Sequence, residues 1–173
     1  IHSLTYEYAK KLDDKGKHVP AICLAGGFTF EDQMYKALAI GAPYVKLVGM
    51  ARGPIAAAMV GKTIGKRIEK DQIPVYVERF GGSKEDIFVT ATGLKHKYGD
   101  RFDKIPAGAL GVTGYFKRLN QGLRQMMAGN RKFALEYIER NDIACLTREA
   151  EDISGIPYIM DVDKDEVDAI LKG

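Results

Sequence analysis

The sequence predicts an α/β fold: a parallel βαβα unit over residues 1–70, then a helical extension over residues 71–173. Three observations carry this. Of two short apolar runs, residues 18–25 lead straight into Gly26–Gly27 and residues 43–49 end in Gly49. A helical pattern, too long for a hairpin turn, joins them. From about residue 72 the strand signals stop, and helical stripes separated by loops take over. Parallel strands need a crossover of this kind, and the crossover is right-handed.

The elements follow in order. Tyr6, Ala9 and Leu12 have helical spacing, so the chain starts at or inside an amphipathic helix. It opens on Ile1 in mid-pattern, which is read as a processed or trimmed piece of something longer. "HVPAICLA" (18–25) lies between Gly16 and Gly26–Gly27, as a parallel strand buried on both faces would. Cys23 within it is expected to be a small buried thiol. Thr29 is expected to open a helix with Asp32 as capping partner, a stripe of Met34, Ala37 and Leu38, and a stop at Gly41. "PYVKLVG" is the second strand. In a barrel strand its Lys46 would point either into the lumen or outward between helices, with the outward position favoured. "GPIAAAMVGKTIGKRI" is a helix with Pro54 in its first turn, where a missing N–H is harmless.

In the extension, residues 83–99 are expected to form one helix, capped by Ser83 and Asp86 and stopped by Gly99. Ile87, Ala91, Leu94 and Tyr98 mark its inner side. "KIPAGALGVTG" reads as a loop. A long helix is expected over 115–138, with Gly122 and Gly129 on one face for close approach of a neighbour. The tail reads as a short capped helix, an extended "IPYIM" and an acidic terminal helix.

Bulk properties exclude several functions. The 173 residues are 46% hydrophobic, enough for one ordinary core but short of the roughly 250 residues of a complete (β/α)8 barrel. A net charge of +3 with both signs mixed is no nucleic-acid footprint, and no apolar run approaches a membrane span. Two distant cysteines, Cys23 and Cys145, suit a reducing, cytoplasmic compartment without a disulfide. His2, His18 and His96 are scattered, with no ligand at metal-binding spacing and no nucleophile–base arrangement.

The paired glycine turns carry the functional reading. A strand that ends in Gly-Gly and enters a helix can bring backbone N–H groups against an anion, since no Cβ intervenes. A second glycine turn on the neighbouring strand allows one phosphate to be held between them. The alternative is that both are ordinary βα turns, where glycine is common.

"LAGGF", followed by "KALAIGAPYVKLVGMA", resembles the closing βαβ unit of the FMN-binding TIM (β/α)8 barrel of the glutamate synthase family. "GALGVTGYFKRLNQGLRQMMAGNRKF" and "NDIACLTREAEDISGIPYIMD" resemble the helical extension of its glutamate-synthase-related branch. The resemblance covers roughly residues 18–161. It implies that residues 1–70 supply strands 7 and 8 of the barrel, with the rest of the barrel as an upstream partner. It implies FMN as cofactor, its phosphate held by Gly26 and Gly27 after strand 7 and by Gly49, Met50 and Ala51 after strand 8, with Arg52 adding a charge-assisted contact. The family reaction forms L-glutamate from 2-oxoglutarate and ammonia. The iron–sulfur cysteines and the N-terminal cysteine nucleophile of complete synthases have no counterpart here, and the fragment alone is expected to be inactive. Two other readings stand beside this one: a non-catalytic structural or assembly module, and part of another phosphate-binding TIM barrel. A two-stranded piece with open edges is also expected to self-associate or swap elements.

Overall fold

The computed structural model describes residues 1–173. The chain is a mixed helix–strand protein, 62% helical, with two parallel strands. The order is α1 (His2–Asp13), β1 (Ile22–Ala25), α2 (Glu31–Gly41), β2 (Val45–Gly49), α3 (Arg52–Ile68), α4 (Val75–Glu78), α5 (Lys84–Ile87), α6 (Ala91–Tyr98), α7 (Ala107–Gly129), α8 (Arg148–Ser154) and α9 (Lys164–Lys172). By contact the chain divides into two compact units, residues 1–49 with 123–173, and residues 50–122. The boundary expected near residue 70 falls inside the second unit.

In the first unit, β1 and β2 pair in parallel with Ile22 opposite Val45, Cys23 opposite Leu47, Leu24 opposite Val48 and Ala25 opposite Gly49. Lys46 is therefore the extra residue of a bulge. The bulge lets both Val45 and Val48 face α2, where they pack with Leu24, Ala37, Ile22, Phe28 and Leu38. The pleat sends Cys23 and Leu47 to the opposite face. No helix covers that face: Leu47 is 62% exposed and Cys23 is exposed. The strands are thus buried on one face only, and the expected buried thiol at Cys23 is corrected.

A second cluster, Tyr35, Ala39, Met127 and Ile138, holds the C-terminal part of the unit on α2. Asn130 bridges it, its Nδ2 donating to Tyr35 Oη at 2.6 Å and to the Asp142 carbonyl at 3.0 Å. The Arg140 guanidinium donates to the carbonyls of Ile40 and Ser154 and lies 3.8 Å from the Tyr6 ring centroid. Thr147 caps α8 by accepting from Ala150 N, and Gly155 ends it at φ +65°. The extended stretch after it makes one isolated parallel bridge, Tyr158 to Cys145.

In the second unit, Phe88, Ala91, Phe102 and Leu110 form the core, with Ile64, Ile68 and Leu94 packed around it. The expected single helix over 83–99 is two helices. Ser83 and Asp86 do form the reciprocal cap, but Phe88 turns extended (φ −97°, ψ 107°), and α6 restarts at Ala91. The long helix is also shifted. It starts at Ala107, inside the expected loop, and ends at Gly129, before Arg131 at φ +57°. Pro106 sits just before the first turn, and the glycines that suggested a loop serve packing. A Cβ on Gly108 would lie 2.9 Å from the Ala58 carbonyl oxygen, and one on Gly111 would lie 2.5 Å from that of Ala57. The close approach expected at Gly129 is absent, since a Cβ there meets nothing within 4 Å.

Candidate functional site

The register that pairs Ala25 with Gly49 brings both strands to an end on the same side of the sheet. Beyond β1 the chain turns through Gly26 at φ +106° and Gly27 at φ +79°, conformations that side chains other than glycine rarely adopt. A Cβ on either residue would meet no atom within 4 Å, so open space lies over the turn. Gly49 differs. A Cβ there would stand 3.1 Å from the Ala25 Cβ, so its bareness already serves the strand pair.

The entry to α2 is built from residues not anticipated for the role. Gln33 Oε1 accepts from the backbone N–H of Thr29 at 2.7 Å and of Phe30 at 3.1 Å. The helix begins at Glu31, so the expected Thr29–Asp32 cap is replaced by this Gln33 cap. Asp32 instead pairs with Lys36 at 2.9 Å, and the Lys36 ammonium holds its carboxyl below the usual range. Spacing was the signal for Gln33, which lies three residues after Phe30, where a capping-box partner belongs. Phe28, next to the glycine turn, stacks on the His2 ring at 6.0 Å.

Glu31 stands in the first turn of α2 with Oε2 buried and without a hydrogen-bond partner. Its charge sits where the helix end is positive. The turn therefore fits a phosphate through its bare backbone and open space, while a carboxylate competes for the same end of the helix. Lys46 is exposed and lines a concavity with Leu38, Pro43 and Glu136.

The remaining site residues belong to the second unit. Ala51 is the N-cap of α3 and makes no side-chain cap; Arg52 is exposed as its first residue. Met50 Sδ accepts a weak hydrogen bond from Tyr115 Oη at 4.0 Å. A Cβ on Gly53 would collide with that same hydroxyl, so the first turn of α3 is packed against Tyr115.

Comparison with protein-family models, with curated proteins and with solved structures gives no match. The site's own geometry therefore carries the reading. No group of three or more His, Cys, Asp or Glu side chains is placed to hold a metal ion. No helix is long and apolar enough to cross a membrane.

Proposed function

We propose that this chain is the closing βαβα part of an FMN-binding (β/α)8 barrel of the glutamate synthase type, with its helical extension. The observation that carries it is the Gly26–Gly27 turn: two positive-φ glycines under open space, on the same side of the sheet as Gly49. Gly26, Gly27 and Gly49 would present backbone N–H groups to the FMN phosphate, with Met50, Ala51 and Arg52 following directly in the chain. FMN supplies the hydride chemistry when bound, here the formation of L-glutamate from 2-oxoglutarate and ammonia. The chain's own part is to bind and orient the phosphate end.

The uncovered surfaces support this reading. In the first unit, the open sheet face bears Cys23 and Leu47, which the interior of a barrel would enclose. In the second unit, Ile55 and Met59 stand one helical turn apart on α3 and are 61% and 58% exposed. Without the upstream strands the fragment is inactive, and a second copy takes their place. Two free cysteines suit a cytoplasmic protein. A non-catalytic assembly module draws on the same open face and predicts no preference for a phosphorylated ligand.

Equilibrium titration of the chain with FMN and with riboflavin separates the two. The proposal expects FMN to bind more tightly than riboflavin, and Gly27→Val to abolish the difference. Equal affinities for the two flavins would overturn it.

A further inference from the structure

The second unit holds a cavity of about 570 Å³ between the segment leading into α6 and one face of α7. That volume is in the range of small-molecule sites. Its floor is apolar, with Phe88 8% and Leu110 1% exposed.

Three features distinguish it from a packing defect. The first is Thr90, 4% exposed, on the cavity wall. Its Oγ1 is buried and has no hydrogen-bond partner. Thr90 is the N-cap of α6, where a threonine hydroxyl ordinarily accepts from the first turn, yet it makes no such bond. A buried hydroxyl without a partner costs about 1–3 kcal/mol, so most folded proteins satisfy such groups. The second is charge. Lys117 and Arg118 line the cavity and no aspartate or glutamate does. The third is Gly114, on the same face of α7 as Leu110 and Lys117. A Cβ there would meet nothing within 4 Å, so the helix leaves space where any other residue would fill it.

We propose that this cavity binds a small organic carboxylate with an apolar body. The body lies on Phe88 and Leu110, the carboxylate faces Lys117 and Arg118, and the Thr90 hydroxyl hydrogen-bonds a polar atom of the ligand. Such a ligand matches both halves of the lining, and it gives the hydroxyl a partner that the fold does not. The inference is independent of the flavin reading, because it uses only residues of the second unit and a ligand without phosphate.

The test is calorimetric titration of the 173-residue chain with 4-phenylbutanoate and with the neutral 4-phenylbutan-1-ol. The wild type is expected to bind the acid saturably, at one site, in the millimolar range or tighter, and the alcohol at least about tenfold more weakly. Gly114→Leu fills the space and should abolish binding. If that variant does not fold, Gly114→Ala, which favours the helix, should weaken binding instead. Thr90→Val should raise the unfolding midpoint while lowering affinity, a combination that a purely structural threonine would not give. No saturable binding up to about 10 mM, equal binding of acid and alcohol, or unchanged affinity in Gly114→Leu or Thr90→Val would each overturn the proposal.

Discussion

A Cβ placed on Gly61 would stand 3.2 Å from the Cα of Gly111, and one placed on Gly111 would stand 3.2 Å from the Cα of Gly61. Helices α3 and α7 meet backbone to backbone at this pair. The Gly61 position would also bring a Cβ to 2.7 Å from the Ala107 carbonyl oxygen. Backbone atoms on both sides leave nothing free to move. Gly61→Ala is therefore expected to destabilise by about 1–3 kcal/mol, although alanine favours a helix by about 1 kcal/mol. Gly93→Ala, where a Cβ meets nothing within 4 Å, should stabilise. Urea denaturation of the two variants checks the opposite signs.

Acid should weaken the cap of α5. Asp86 Oδ2 accepts from the Ser83 hydroxyl at 2.7 Å and from its backbone N–H at 3.1 Å. The hydroxyl, then the N–H, hold the carboxyl below its ordinary 3.8. A folded value below the unfolded one means the stabilisation is complete above 3.8 and is lost as pH falls through the folded value. Glu151, held down by the Tyr158 N–H and then by Arg148, adds the same sign of dependence. Ser83→Ala should cost about 1 kcal/mol at neutral pH and flatten the acid limb. Thermal unfolding of both proteins from neutral to acid pH reads this directly.

Leu47 and Cys23 face each other across the strand pair on the uncovered side of the sheet. A two-stranded sheet with an apolar face is marginal in water. The chain is expected to self-associate with rising concentration, and Leu47→Lys should suppress this. Light scattering over a wide concentration range checks it, and a wild-type monomer throughout would contradict the expectation.

Glu31 tests the sign of the charge at the glycine turn. If a phosphate binds near the start of α2, the Glu31 carboxylate, one oxygen of which is buried and unpartnered, opposes it. Glu31→Gln is then expected to tighten FMN binding by about two- to fivefold, corresponding to roughly 0.3–1 kcal/mol, with a smaller gain at high salt. Unchanged or weaker FMN binding by the variant would contradict a phosphate at this place.

The strand–helix–strand order was legible because short apolar runs and helical stripes depend on local pattern alone. Ser83 was legible as a cap for the same reason. The start of α7 was not. "AGALGVTG" has the composition of a loop, and only the contact of Gly108 and Gly111 with α3 makes those glycines favourable in a helix. Burial of Cys23 was misread because an apolar strand suggests two covered faces, whereas cover depends on what packs there. At the site, the Gly26–Gly27 turn was legible from glycine and its neighbours, but the buried Glu31 oxygen and the Gln33 cap are matters of side-chain placement. Thr90 gave no signal in sequence, since an unpartnered hydroxyl is a property of its surroundings.

The central claim is that bare backbone at the ends of β1 and β2 holds a phosphate. Amide proton–nitrogen NMR correlation spectra of the chain, titrated with FMN and separately with riboflavin, test it most directly. The account predicts that FMN moves the Gly26, Gly27 and Gly49 amide signals in a saturable way, while riboflavin leaves them in place. Signals at these three glycines that stay fixed under FMN, or that move equally under riboflavin, would contradict it.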